Sequence, residues 1–227
     1  IDYTQFNGTQ CALPFLGDAF GLYYDKKAFA KAGITAPPVT WSEFTADAVA
    51  LTKQSGSGYQ SLGFMPSFQG YESDVGTWMH QWNPTYFDAA GTSNLANDPA
   101  VANFFQYTAS LQKALGGYDA LQSYRSTFGE EFSADNPFET GKVAMAFDGE
   151  WRIALLAGDK SAIDYGVAPM PVPDDQRDSY GKGYLTGTII GVSHRSAHQE
   201  AAWQLVKFLT TDTDGMVAFG NAIQNLP

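Results

Sequence analysis

The sequence of 227 residues has few of the side chains that bind metals or form covalent links. Cys11 is the only cysteine, which excludes an internal disulfide. The three histidines are His80, His194 and His198, and without a second cysteine they do not form a zinc ligand set. We therefore predict no metal site and no cofactor. No window of about 18 or more apolar residues occurs, so we predict no membrane insertion by this segment.

Positive charge is also scarce. Lysine and arginine number 13 against 24 acidic residues, which gives a formal net charge of −11. This balance argues against partners that are nucleic acids or anionic membranes, because both require a basic surface. It suits a protein with a neutral ligand. Aromatic residues make up 15% of the chain, which fits either a ring-rich core or a ligand site that uses aromatic faces.

The common motifs for nucleotide binding and nucleophilic catalysis are missing. Gly181, Gly183 and Gly187 do not have the dinucleotide-binding spacing, and there is neither a Gly-Lys-Ser/Thr nor a Gly-x-Ser-x-Gly sequence. A glycoside hydrolase needs two carboxylates at a defined separation. The sequence does not give that separation for the candidates, which are Glu130, Glu131, Asp148 and Glu150.

The most informative stretch runs from residue 138 to residue 157. Residues 143–147 form an apolar run of strand length, with Gly141 before it and Asp148-Gly149 as a turn after it. Residues 150–157 contain no glycine or proline and favour a helix. The pattern predicts a strand, a sharp turn and a helix with Trp151 in its first turn. The ring of Trp151 either covers the core or forms a platform for a ligand, and the pattern leaves both alternatives open.

The other segments alternate between predicted strands and helices, which indicates an α/β fold. Thr40 and Glu43 have the spacing of a capping box, and Ser196 and Gln199 repeat it before a helix predicted at residues 200–209. Ala201, Leu205, Phe208 and Leu209 should be the inward side chains of that helix. Trp78 and Trp82 lie four residues apart in a ring-rich stretch, where they either enter the core or face a ligand.

Four motifs resemble those of the extracytoplasmic sugar-binding proteins of ABC importers, the maltose-binding-protein-like family 1 of solute-binding proteins. They occur along the chain in the same order as in that family. The main one combines Phe138, Gly141-Lys142, Ala144-Met145 and Gly149-Glu150-Trp151. The others are Leu13-Pro14-Phe15 with residues 22–27, Gly33-Ile34 with Pro37-Pro38 and residues 40–44, and residues 165–171 with the helix at residues 200–209. The family usually has asparagine where Asp25 stands.

The resemblance implies a two-lobed, type II periplasmic-binding-protein-like α/β fold, incomplete in this chain. Residues 1–20 would be an extended segment and lobe crossover, residues 21–170 the main ligand-binding lobe, residues 171–182 a hinge or surface loop, and residues 183–227 part of the second lobe. The family has further sequence upstream and downstream, so we interpret the chain as an internal fragment. We expect such a fragment to be less stable than the full-length protein or to self-associate.

The resemblance also implies a function without catalysis. The protein would capture a sugar or oligosaccharide between its lobes outside the cytoplasm, as a periplasmic protein or a surface lipoprotein, and deliver it to ABC transporter permease subunits. The implied ligand contacts are Trp151 as the platform, Asp148, Gly149, Glu150, Tyr71, Trp78, Asp18, Tyr184 and Gly187. The alternatives are a glycoside hydrolase and a lectin-like carbohydrate-binding module.

Overall fold

The computed structural model describes residues 4–56, 58–66 and 75–223. The chain divides into two compact units, one formed by Ile1–Ala19 with Leu185–Pro227 and the other by Phe20–Tyr184. The lobe boundaries given above stay a prediction.

Eight strands and eight helices are described, together with 3-10 helices at His80–Trp82 and Asp174–Ser179. In chain order they are β1 (Gln5–Phe6), β2 (Thr9–Gln10), β3 (Leu13–Asp25), α1 (Lys26–Ala32), α2 (Trp41–Leu51), β4 (Lys53–Ser55), β5 (Gly58–Phe64), α3 (Val75–Met79), α4 (Pro99–Ala114), α5 (Tyr118–Arg125), β6 (Val143–Gly149), α6 (Trp151–Gly158), β7 (Tyr165–Ala168), β8 (Tyr184–Ile190), α7 (Gln199–Thr211) and α8 (Thr213–Ile223).

The unit of residues 20–184 contains a mixed sheet in the order β4-β5-β6-β3-β7. β6 lies at its centre, parallel to β5 with Leu62 opposite Val143, and antiparallel to β3 with Phe20 opposite Gly149. The strand predicted at residues 143–147 is confirmed and continues to Gly149, and the predicted helix follows as α6. Only Glu150 separates the two elements, so the turn between them is sharp.

The predicted capping box at the start of α2 is confirmed. The Thr40 side chain accepts from the Glu43 backbone N–H, and the Glu43 carboxylate accepts from the Thr40 N–H, which completes the capping box of α2. Asp25 caps α1 by accepting from the backbone N–H groups of Lys27 and Ala28, and that helix ends at Gly33 with a φ of 77°. A left-handed residue at this position favours glycine, because a Cβ would be strained there.

A cluster of aromatic rings forms the core of this unit. Phe44 stacks on Phe147 of β6 with ring centroids 5.4 Å apart, and Trp41 stacks on Trp82 at 4.6 Å. Trp78 lies among them, edge-on to Phe64 at 5.8 Å. Because aromatic side chains bury large areas, this cluster supplies much of the buried apolar surface against which β6 packs.

The unit of residues 1–19 and 185–227 has less of a core. β1 and β2 form a hairpin whose turn residues, Asn7 and Gly8, both have positive φ. β8 pairs with β3, and α7 packs on α8. The helix predicted at residues 200–209 is confirmed within α7, but the prediction of its inward face is wrong for Ala201, Leu205 and Phe208, which are exposed.

The second predicted capping box is also wrong. Ser196 Oγ accepts from the N–H of His198 in a local turn, and α7 begins after His198 without a side-chain cap. Serine often makes such local backbone contacts, which compete with capping. No described helix has both the length and the apolar composition needed to cross a membrane.

Candidate functional site

The Trp151 ring is fixed at the end of β6 by two neighbours. A Cβ placed on Gly149 would lie 2.3 Å from two atoms of the ring, so only glycine leaves room for the ring at this place. Phe20 meets the ring edge-on with centroids 5.4 Å apart. The side chain is partly buried, intermediate between the two alternatives that the sequence left open. A large aromatic surface therefore lies at the strand-to-helix turn of this unit.

The carboxylate of Asp148 holds the turn itself. One oxygen accepts from the Gly149 N–H at 2.9 Å, and the other accepts from Arg152 Nε at 2.5 Å. The Gly149 carbonyl accepts from the Tyr23 hydroxyl at 2.8 Å, which ties the turn to β3. Burial raises the pKa of Asp148 to about 6, while Arg152 acts in the opposite direction. Both oxygens of Asp148 are used within the protein, so its first role is to shape the turn.

Sequence reasoning missed Arg152. Its side chain is only 1% exposed, and its guanidinium contacts Asp148, the Glu139 carboxylate at 3.3 Å and the Glu131 carbonyl at 2.9 Å. The i, i+4 spacing of Asp148 and Arg152 on the chain was the available signal. That spacing is common on exposed helices, and it does not show that the pair is buried or that Arg152 reaches two further segments.

Glu150 lies between β6 and α6 and is partly buried. Its backbone has helical dihedral angles, and its side chain does not cap α6. Burial raises the pKa of Tyr23, and the carboxylates of Asp148 and Glu150 add to this effect while Arg152 opposes it. Charged acceptors of this kind make strong hydrogen bonds to hydroxyl groups.

A concave pocket lies on the segment before β6. It combines two phenylalanine rings with acidic, basic and amide side chains, and its lining residues are Gln122, Arg125, Ser126, Phe128, Gly129, Glu130, Glu131 and Phe132. Phe132 is exposed, and Arg125 donates to Gln122 Oε1 at 2.9 Å. Rings beside hydrogen-bonding groups can contact both the C–H faces and the hydroxyls of a sugar. The sequence named Glu130 and Glu131 only as possible hydrolase carboxylates.

The other predicted contacts are distributed over the chain. Trp78 is buried in the aromatic cluster, which is the core alternative of the two that its spacing allowed. Tyr71 lies outside the described residues. Asp18 is buried within β3, and Gly187 lies on β8 beside an apolar groove of its own unit. Tyr184 begins β8, and its side chain lies outside the described part of the structure.

The described residues contain no cluster of side chains suited to bind a metal ion. Within residues 4–56, 58–66 and 75–223, no three His, Cys, Asp or Glu side chains are grouped so that they could hold a metal ion. The chemistry available at the turn and the pocket consists of aromatic surface and hydrogen bonding.

Three comparisons with known proteins are informative. The chain is 29% identical over 206 residues to a binding protein of Brucella abortus, and the matched region covers 89% of this chain and 47% of that protein. It is 28% identical over 221 residues to an ABC transporter-binding protein of Deinococcus radiodurans, with 92% and 49% covered. A structure of the protein CpMnBP1 with mannotriose bound superposes with a TM-score of 0.85 at 22% identity, and covers 99% of this chain and 57% of that one.

These matches establish the fold class and the family. The likeness to CpMnBP1 confirms the predicted α/β fold of type II periplasmic binding proteins. The chain spans about half the length of the curated relatives it matches. The model of the family described as bacterial extracellular solute-binding protein matches residues 1–216. The chain therefore belongs to the bacterial extracellular solute-binding proteins.

Proposed function

We propose that this chain is part of an extracytoplasmic protein that captures a sugar or oligosaccharide between two lobes and delivers it to the permease of an ABC transporter. The observation that carries the proposal is the partly buried ring of Trp151, which Gly149 and Phe20 hold at the end of β6. An aromatic face offers a sugar ring apolar contact at a small entropic cost. The relatives named as binding and ABC transporter-binding proteins support the same class.

The polar contacts that we propose come from the same turn and from the neighbouring segment. Glu150 would accept hydrogen bonds from sugar hydroxyls, and Asp148 would support the turn rather than contact the ligand. The pocket at residues 122–132 would extend the contact surface. Tyr71, Tyr184, Asp18 and Gly187 remain proposed contacts, whereas Trp78 would support the site from the core.

The proposed class is a binding protein and not an enzyme. The relatives that match are binding proteins. A hydrolase would need an acid and a base from among Glu130, Glu131, Asp148 and Glu150, and Asp148 is already committed to Arg152 and to the Gly149 N–H. We therefore rank the glycoside hydrolase and the lectin-like module below the transport protein.

The test is a titration of the full-length protein with a panel of manno- and malto-oligosaccharides by isothermal calorimetry, with a hydrolysis assay on the same panel. We expect saturable binding of at least one oligosaccharide and no release of smaller sugars. We also expect a smaller radius of gyration with ligand in solution scattering, because closure of two lobes shortens the molecule. Sugar release that depends on Glu150 would contradict the proposal, and binding without contraction would favour the lectin-like module.

A further inference from the structure

Arg152 connects three separate segments at the base of the candidate site. We propose that Arg152 is a positioning residue that fixes the segment of residues 126–136 to the turn carrying Trp151, so that the pocket on this segment and the Trp151 ring contact the same carbohydrate. The statement that the pocket and the Trp151 ring contact the same carbohydrate rests on the proposed function. The connection between the segment and the turn does not depend on any ligand.

The three nitrogens of the guanidinium point to three different segments. Nε donates to Asp148 on β6 at 2.5 Å, Nη1 to Glu139 at 3.3 Å, and Nη2 to the carbonyl of Glu131 at 2.9 Å. A planar guanidinium carries its donors in a fixed fork, so these contacts define angles as well as distances. A lysine ammonium could pair with one carboxylate but could not reproduce the fork.

The carbonyl of Glu131 is a firm attachment point. It accepts from Asn136 Nδ2 at 2.8 Å in addition to Arg152, and Asn136 Oδ1 accepts from the Phe138 N–H at 2.9 Å. Asn136 is itself buried. The segment that carries Glu130, Glu131 and Phe132 is therefore held at its base, while Glu130 and Phe132 are exposed at the surface.

The network is better suited to orientation than to stability. Arg152 and Glu139 have side chains that are 1% and 2% exposed, so two carboxylates and one guanidinium have lost nearly all of their hydration. Replacing such buried ion pairs by apolar or neutral groups is often neutral or stabilising. A buried arginine that donates to a backbone carbonyl of the pocket segment fixes the orientation of that segment relative to α6. An apolar side chain of the same volume would not do so.

The central variant is Arg152→Lys, with Arg177→Lys as its matched control. Arg177 forms an exposed ion pair with Glu43 at 2.6 Å and lies outside the site. Groups that orient ligand-binding residues typically contribute about 10- to 100-fold to affinity at metal sites, and we expect Arg152→Lys to weaken oligosaccharide binding at least about tenfold. Arg177→Lys should leave the affinity unchanged. Affinity of a folded Arg152→Lys within twofold of wild type would overturn the proposal.

A second variant separates orientation from folding. In the triple variant Asp148→Asn, Glu139→Gln and Arg152→Met the buried charges are removed together, so the fold should survive. Its affinity should nevertheless fall, because nothing then holds the Glu131 carbonyl from the side of α6. A double-mutant cycle of Arg152→Lys with Phe132→Ala should be non-additive, since both act on the same segment. Strict additivity would contradict a shared path.

Amide hydrogen exchange tests, without any ligand, whether Arg152 fixes the segment of residues 126–136 to the turn. Exchange at residues 129–136 should accelerate in Arg152→Lys relative to Arg177→Lys, while exchange in α1 stays the same in the two variants. If wild type binds no carbohydrate but exchange accelerates, the proposed function fails and the connection stands. If exchange at residues 129–136 is unchanged, the inference is wrong whatever the protein binds.

Discussion

The two units of the chain differ in how far they bury their large apolar side chains. In the unit of residues 20–184, Phe147 is 2% exposed within a cluster of rings. In the unit of residues 1–19 and 185–227, Leu185 is 71% and Leu205 is 56% exposed, and Val206 is the one large apolar side chain that is buried among the described residues of that unit. The first of these units has a core of its own, whereas the second leaves apolar surface uncovered.

The difference shows where the stability of the chain resides. Exposed apolar patches on a folded protein are usually contact surfaces. The exposed side chains of the smaller unit lie on β8, α7 and α8, and they include Leu185, Ile189, Trp203, Leu205, Phe208, Val217 and Ile223. We therefore expect the unit of residues 20–184 to determine the unfolding behaviour, and the other unit to determine association.

The largest effect should come from a matched pair of substitutions, Phe147→Ala and Phe208→Ala. Phe147 packs on Phe44 and Phe64, so its loss should lower the free energy of unfolding by about 3–5 kcal/mol. Phe208 is 47% exposed, and its loss should cost no more than about 1 kcal/mol. Denaturant unfolding followed by tryptophan fluorescence measures this, because four of the five tryptophans, Trp41, Trp78, Trp82 and Trp151, lie in the larger unit. Equal costs would show that the two units do not differ.

A smaller effect should follow from Ile189→Lys. The segment from Gly183 to Ser193 contains no charged residue and no proline, and Ile189 is exposed on β8. A lysine on such a strand opposes pairing with other chains. We expect a larger monomeric fraction in size-exclusion chromatography with light scattering, and no change in the unfolding of the larger unit.

The control for this substitution is Val49→Lys, which adds the same charge to an exposed position on α2. It should leave the monomeric fraction unchanged. An equal gain from both variants would mean that net charge, and not the surface of β8, governs association.

The smallest effect concerns pH and the larger unit. Burial, with the neighbouring Glu43 carboxylate, raises the pKa of Asp47 to about 6 from its ordinary 3.8. Between these values the folded state holds a proton that the unfolded state has lost, so this group's contribution to stability falls as pH rises from about 4 to 6. Because Asp47 is partly exposed, we expect less than about 1 kcal/mol.

The variant Asp47→Asn isolates this contribution. The melting temperature of the variant minus that of wild type should be larger at pH 7 than at pH 4. Calorimetry in buffers of equal ionic strength measures this difference. A difference that does not depend on pH would show that Asp47 has an ordinary pKa in the folded protein.

Local sequence signals predicted the elements of the larger unit well. Gly141 precedes β6 as predicted, and the spacing of Thr40 and Glu43 marks the start of α2, whereas Asp148-Gly149, predicted as the turn after the strand, forms its last two residues. These features depend on a few neighbouring residues. The position of Trp78 was left open, because the same i, i+4 spacing fits a core face and a ligand face, and only packing against Phe64 and Phe147 distinguishes them.

Long-range contacts were beyond the reach of the sequence. Arg152 contacts Glu139 and the Glu131 carbonyl, 13 and 21 residues away, and no spacing rule relates such positions. The inward face predicted for α7 failed for a related reason. An amphipathic pattern identifies the face that needs cover, but the described residues of its own unit leave Leu205 and Phe208 uncovered.

Trp151 is the central contact of the proposed binding site, and calorimetric binding with melting curves on Trp151→Ala in the full-length protein tests its role directly. We predict a loss of affinity upwards of about 2 kcal/mol, as for a central aromatic anchor. The loss of stability should be smaller than the roughly 3–5 kcal/mol of a fully buried tryptophan. Trp203→Ala, which removes an exposed tryptophan of α7, is the matched control and should leave affinity unchanged. A collapsed melting temperature with intact binding in the surviving fold would show that Trp151 belongs to the core and would contradict the account.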